Sequence, residues 1–430
     1  MNSQPRILVF TVSSWSSRGG ANTYASLLEK YDSALVANLC IRDESPSSSV
    51  ASRYFAISES KVIKSILKRK IKTGEEKTST IEADETTVAE HKARYKKYGK
   101  KRKYSMLFAR ELVWKMGKWK TKELDEFLDS FKPDIILHSM EGYIHLNRII
   151  EYAIKRTGAK AIGYIWDDNF TYKQSKSLGY KIYRFFQRKS LKKLSKKTDA
   201  FFAITEKTKK EADKFFGIES IVLTKPLSSE PTVDYGLLEK PIKVLYTGNL
   251  YIGRDRSLLR LVNCLKELEK PSEHFKIDVY TQTQLSEDMR NALNCDFCEI
   301  HEPIPQSEVL KKQKEADILL FLEDVDGKDA RVARLSFSTK TTDYLSSGKC
   351  IFAIGNLDAA PIEYLKENDT ALVATNDNEI KNAIEQIVNN ENILVEYATR
   401  SANLGLLNHN KKKIEETFYK TIEGVLKMNP

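Results

Sequence analysis

Short apolar runs, each passing through a glycine- or serine-bearing loop into a helical pattern, recur on both sides of a proline-rich break near the middle of the sequence. Ile7–Val12 leads through the polar loop Ser13–Gly20 into a helical pattern from Ala21 to Tyr31. Strand-like runs follow at Ala34–Leu39, Ile135–His138, Ala161–Ile165 and Ala200–Ile204. The break at 224–241 carries Pro226, Pro231 and Pro241 among several Ser and Thr, which is linker composition. The alternation then restarts with Ile242–Tyr246, Phe275–Tyr280, Phe297–Ile300, Ile318–Leu322 and Cys350–Ile354, with helices from about Ser257 and after Ser338. Alternating strands and helices can bury their apolar faces together only as a largely parallel sheet covered on both sides. A chain of 430 residues is too long for one ordinary core. The sequence therefore predicts two doubly wound α/β domains, 1–225 and 242–410, joined by a linker at 226–241. Ligands of such sheets bind outside the carboxyl ends of the strands, so the two domains are expected to face a common cleft. A last helical stretch, 411–430, is expected to pack back on the first domain. Residues 73–103, rich in Lys, Glu and Thr with almost no apolar periodicity, read as a mobile charged insertion or a solvated helix, not core.

Charge is unevenly placed. Residues 1–215 hold 44 Lys and Arg against 25 Asp and Glu, a net +19, while the remainder carries −8. Such a split speaks of partners rather than fold, and it points the first half at something anionic. Two stretches sharpen this: Lys61–Lys72 holds no acid, and Lys181–Lys197 reads KIYRFFQRKSLKKLSKK. Each reads either as an in-plane membrane helix or as a core-facing helix with a solvated basic back. Nucleic acid is not the expected partner, because no recognition motif or basic–aromatic array accompanies the charge. No run approaches the ~20 apolar residues that span a bilayer. The start, MNSQPRILVFTVSSW, lacks the features of a signal peptide, so a cytoplasmic protein is expected, peripheral on the inner face of a membrane. The five cysteines are odd in number and include one CxxC, Cys295–Cys298, with only His301 nearby as a further ligand. Reduced, partly buried thiols are expected, with no metal and no cofactor.

The chemistry concentrates after the break. In Leu335–Lys349, LSFSTKTTDYLSSGK, Ser338 and Thr339 stand where a helix begins, so their hydroxyls and the free N–H groups of the first turn can receive an anion. Lys340 adds a positive charge there, and Asp343, one turn on, can accept from the vicinal hydroxyls of a ribose. Val244–Arg254, VLYTGNLYIGR, runs from a strand into a glycine loop. Gly248 allows close backbone approach, Asn249 stands beside it as a further donor-binding candidate, and Arg254 pairs with phosphate. Together these residues describe a nucleoside diphosphate site, while the Ser338 segment taken alone reads equally as a well-capped helix with a solvent-facing Lys340. In the first half, Asp167 and Asp168 end a strand, where a carboxylate can orient or deprotonate a hydroxyl. Capping is the plainer role for Asp168. His138 and Glu141 end another strand and rank below that pair, His138 as a core or rim histidine.

Segment 242–375 resembles the donor domain of retaining GT-B glycosyltransferases of family four, particularly bacterial capsule and surface-polysaccharide members, through the run STK…YL..GK. ILVFTVSSWSSRGGANTYASLL and YIWDDNFTYK are similar to their acceptor domain. The resemblance implies a GT-B fold of two Rossmann-like domains. It also implies a retaining, metal-independent hexosyl transfer from a nucleotide-sugar donor to a glycan or lipid-linked acceptor. It gives Arg254 and Lys340 to the diphosphate and Asp343 to the ribose, and places Gly19 and Gly20 under the donor phosphates or acceptor. It also marks a departure. Leu335 stands where the family carries a glutamate that touches the donor sugar, and Glu323, at the end of Ile318–Leu322, is the candidate substitute. The alternative is a catalytically degenerate GT-B protein acting as a partner or scaffold.

Overall fold

A computed structural model describes residues 4–15, 23–43, 45–78, 104–327 and 329–428. The chain forms two compact units, Met1–Leu223 with Glu415–Pro430, and Thr224–Ile414.

The first unit is built on eight strands: β1 (Ile7–Thr11), β2 (Val36–Cys40), β3 (Arg53–Ile57), β4 (Gly74–Lys77), β5 (Ile135–Ser139), β6 (Lys160–Ile165), β7 (Ala200–Ala203) and β8 (Ile221–Val222). They lie in the order β4-β3-β2-β1-β5-β6-β7-β8, parallel throughout except for the β3–β4 pair. Every residue of β1, β2 and β5 is buried, which is why these segments read as unbroken apolar runs rather than alternating ones. The order reverses between β1 and β5, and that gap is the switch point at which such sheets open a crevice. The Lys411–Lys427 helix belongs to this unit from Glu415 onward. Its Phe418 ring meets Phe202 at 5.9 Å, and its Tyr419 hydroxyl donates to the Leu27 carbonyl at 2.9 Å.

The second unit holds β9 (Ile242–Thr247), β10 (Phe275–Tyr280), β11 (Cys298–His301), β12 (Ile318–Leu322), β13 (Cys350–Ile354) and β14 (Leu372–Ala374) in the order β11-β10-β9-β12-β13-β14, all parallel. Its switch point falls between β9 and β12. The observed class is thus α/β with two parallel-sheet units, as the alternation requires.

Several local expectations change. Thr73 is fully buried with its hydroxyl on the Lys118 carbonyl at 2.6 Å, and Gly74–Lys77 forms an edge strand tied to β3 by Arg53 and Glu76. The start of the 73–103 stretch is therefore structured, while 79–103 lies outside the described residues. The Lys61–Lys72 stretch is helical only within Glu59–Ser65. There Val62 turns inward while Ile63 and Leu67 turn out, so the stretch has no single apolar face. Among the described residues no helix is long and apolar enough to cross a membrane.

Candidate functional site

At the β9/β12 switch point two loops and two helix starts converge. β9 ends in Gly248, whose φ of 137° only glycine adopts freely, and whose N–H donates to the Tyr280 carbonyl at 2.9 Å. The Lys340 ammonium lies directly against that glycine, where any side chain would collide with it. Ile252 and Gly253 follow with φ of 62° and 80°, a left-handed pair unusual for a β-branched residue, and they launch the Arg254–Leu265 helix with Arg254 as its first residue.

Arg254 reaches across to β12. Its Nη2 donates to Glu323 Oε1 at 2.8 Å, and its Nε faces Glu323 Oε2 at 3.3 Å and the Leu322 carbonyl at 3.0 Å. Glu323 is buried, its N–H on the Ile354 carbonyl at 2.8 Å and its carbonyl accepting from the Ser257 hydroxyl at 2.6 Å. The carboxylate offered by the sequence as the sugar-touching group is thus held by Arg254. Its visible task is to fix the guanidinium.

Ser338 caps the seven-residue Thr339–Leu345 helix, accepting from the Lys340 N–H at 3.3 Å, and Thr339 is exposed beside it. Lys340 Nζ approaches the Tyr246 hydroxyl at 3.4 Å and stands 4.5 Å from the centre of its ring. Among the described residues Lys340 forms no ion pair with a carboxylate. Burial, and then the charge of Arg254, bring its pKa down from 10.5 to about 7, against the smaller opposing pull of Glu323 and Asp343. Asp343 pairs with Lys225 at 2.7 Å. Asn249 accepts from the Tyr246 hydroxyl through its carbonyl at 2.6 Å and from Gln282 through Oδ1 at 3.0 Å. Leu335 is fully buried and belongs to the core. The structure therefore brings Gly248, Arg254, Glu323 and Lys340 into one electrostatic cluster, with Asn249, Ser338, Thr339 and Asp343 on the adjoining loops and helix. Tyr246 and Lys225 complete the group and were not singled out from the sequence. Tyr246 stands inside the same VLYTGN segment, but its role as a seat for the ammonium depends on a fold-level contact.

In the first unit Gly19 and Gly20 lie outside the described residues. Asp168 is fully buried and accepts from both the backbone N–H of Thr171, at 2.9 Å, and the Thr171 hydroxyl, so it closes a turn instead of capping a following helix. His138 is also fully buried, one ring nitrogen 3.1 Å from the Thr198 hydroxyl, and burial lowers its pKa to about 4, so it stays neutral. Glu141, ranked low on sequence, is the perturbed group here. Burial, and then the nearby charge of Asp167, push its pKa up to about 7, while hydrogen bonds including that from Trp166 Nε1 at 3.3 Å pull the other way. Since the folded protein holds this proton more tightly than the unfolded chain, stability falls as pH rises from about 4.5 to about 7. Glu141→Gln is expected to remove about 2 kcal/mol of that slope, measured by urea denaturation at pH 5 and pH 8. An unchanged difference between the two pH values would show that Glu141 does not titrate there.

All five cysteines are free. Cys295 and Cys298 exchange backbone hydrogen bonds in an isolated bridge, and burial pushes the Cys298 thiol up to about 12, an inert state. His301 instead stacks on Tyr280, with Asp278 at 2.8 Å from one ring nitrogen and Glu299 at 3.8 Å from the other.

No protein-family model and no curated protein matches the sequence. Solved structures do resemble the fold. A sucrose-phosphate synthase from Thermosynechococcus elongatus is 12% identical, with 98% of this chain and 99% of that chain covered and a TM-score of 0.59. Anabaena HepE in complex with UDP is 9% identical over 97% and 100%, with a TM-score of 0.61. The E. coli structure described as trehalose-6-phosphate, bound with UDP-2-fluoro glucose, is 11% identical over 99% and 100%, at 0.58. The fold is that of GT-B glycosyltransferases.

Proposed function

We propose that this chain is a glycosyltransferase that binds a nucleotide-sugar donor on its second unit and transfers the sugar to a glycan or lipid-linked acceptor. The observation that carries the reading is Lys340. A largely buried ammonium with no ion-paired carboxylate among the described residues is costly, and it sits at the switch point of a parallel sheet, where an anionic ligand would restore its charge. Two of the similar structures hold UDP or a UDP-sugar. In this reading Lys340 and Arg254 clamp the diphosphate, Gly248 lets the backbone approach with Asn249 beside it, and Ser338 and Thr339 donate hydroxyls. Asp343 takes the ribose as its pairing with Lys225 opens. Glu323 positions Arg254. Two cations neutralise the leaving diphosphate without a divalent metal. In the first unit, Asp167 and Glu141 form a carboxyl pair able to take a proton from an acceptor hydroxyl near neutral pH. The resemblance noted from the sequence extends the proposal to retention of configuration and to surface-polysaccharide synthesis on the cytoplasmic face of an anionic membrane.

A second reading, a donor-binding GT-B protein without turnover, is favoured by buried Leu335 and by the engagement of Glu323. One experiment separates the two. In a thermal-shift screen of nucleoside diphosphates and nucleotide sugars, a true ligand at a hundred times its Kd should stabilise the protein by about 2.7 kcal/mol, with EDTA present. Sugar release or transfer from that ligand then marks an enzyme, and a shift without release marks the scaffold. No shift with any nucleotide would remove both readings, and a shift that requires magnesium would overturn metal independence.

A further inference from the structure

The Leu178–Ser195 helix buries one face and leaves a second set of large apolar residues on the face turned outward. Its inward face carries Arg184 and Gln187 with Tyr180, Tyr183, Leu191 and Leu194, while Leu178, Ile182, Phe185 and Phe186 stand outward, Phe185 at 56% exposure. The outward positions share one helical stripe, and the same stripe continues into Lys189, Lys192 and Lys193. A core-facing helix with a solvated basic back would place these aromatics the other way round.

The exposed rings do not stand alone. Phe185 meets Phe186 at 5.5 Å, and Phe186 meets Phe108 of the neighbouring Tyr104–Met116 helix at 5.8 Å. Trp114 is the one buried residue of that helix, which turns Met106, Leu112 and Met116 outward, Leu112 at 55% exposure. Beyond Met116, whose carbonyl faces Arg69 Nη1 at 3.4 Å, the turn after Glu59–Ser65 presents Leu67 at 91% exposure among Lys64, Lys68, Arg69 and Lys70. An apolar strip bordered by cations therefore runs across three elements of the first unit. The acids of these elements are engaged elsewhere, Glu59 with Arg110 and Glu111 with His145 and Arg148.

We propose that this strip is the surface by which the protein docks on an anionic lipid bilayer, with Ile182, Phe185, Phe186, Leu112, Met116 and Leu67 entering the interface and the flanking lysines meeting the headgroups. The proposal gives a location to the membrane partner and rests on that part of the functional reading alone. A second copy of the chain is the poorer occupant, because pairing this face with itself would set cation against cation on a half already carrying +19.

Flotation of the full chain tests it, using vesicles of phosphatidylcholine alone and of phosphatidylcholine with phosphatidylglycerol. Wild type is expected to float with the anionic vesicles only, and less so as salt rises. F185S/F186S and L112S/M116S are each expected to lower the partition about tenfold or more, and K189Q/K192Q by a smaller factor. Because these side chains are exposed, the melting temperature and the nucleotide-induced shift should match wild type in every variant. Failure of docking is thereby kept apart from failure of donor binding. Flotation of F185S/F186S at the wild-type level, equal recovery of wild type on both vesicles or on neither, or a lipid-free dimer that the same substitutions dissociate would each overturn the assignment.

Discussion

Replacing Lys340 by methionine is expected to weaken nucleotide binding by roughly ten- to 150-fold while making the second unit more stable. The two effects have one cause. In the free protein the ammonium is held between Tyr246, Gly248 and the charge of Arg254, with no ion-paired carboxylate among the described residues and only a weaker pull from Glu323 and Asp343, and its pKa falls to about 7. The unfolded chain binds this proton up to about pH 10.5 and the folded one only to about 7. Stability therefore rises with pH across that window, and the full cost of the charge is felt below it. Methionine keeps the stem and drops the charge, so the variant should gain about 2 kcal/mol at pH 6 in urea denaturation, a figure reduced for the part of the side chain that water reaches. The gain should vanish near pH 10. Binding goes the other way. Loss of a charge-assisted bond to phosphate costs about 1.5–3 kcal/mol, or roughly ten- to 150-fold in Kd. In the wild type, diphosphate binding above pH 7 must recharge the lysine, so Kd should climb about tenfold per pH unit and calorimetry should register proton uptake. A methionine variant that is less stable at pH 6, or that binds nucleotide as wild type does, would mean that Lys340 is a structural cation.

Much of this cluster was legible in sequence because its residues stand at the ends of strands that read as apolar runs. Gly248 follows β9, Glu323 follows β12, and Ser338–Lys340 opens a capped helix, so spacing alone put a glycine and two cations near the carboxyl ends of one sheet. Partner choice was not legible. Arg254 and Glu323 are 69 positions apart and meet only because β9 and β12 are neighbours across the switch point. Lys225 and Asp343 are joined over 118 positions. The misplaced expectations have the same origin. Phe185 and Phe186 fitted an in-plane membrane helix and a core-facing one equally well, and only packing shows that they stand outward while Tyr180, Tyr183, Arg184, Gln187, Leu191 and Leu194 turn inward. β4 escaped notice because an edge strand needs no apolar alternation, and GEEK has none. Glu141 ranked low because burial beside Asp167 is a tertiary fact.

The Arg254–Glu323 pair gives the other large effect, and it decides what Glu323 is for. Glu323 is almost completely buried, while Arg254 keeps an edge in contact with solvent. Removing one member of a buried pair strands the other, typically at 3–5 kcal/mol. Arg254→Ala, which leaves the buried carboxylate without its partner, should cost about 4 kcal/mol, and Glu323→Ala somewhat less, about 3 kcal/mol, since the guanidinium can turn toward water. The double replacement R254M/E323L should cost less than either single change, because no charge is left behind. Nucleotide affinity then separates the two roles. If Glu323 holds Arg254 for the diphosphate, Glu323→Ala weakens binding of a bare nucleoside diphosphate, and Glu323→Gln, which can still hydrogen-bond the guanidinium, largely preserves it. If Glu323 instead touches the donor sugar, neither change moves the affinity for a ligand without sugar, and both depress transfer. Titration calorimetry of the two variants with a nucleoside diphosphate and with its sugar conjugate distinguishes these outcomes. The geometry favours the first, since both carboxylate oxygens already face the guanidinium.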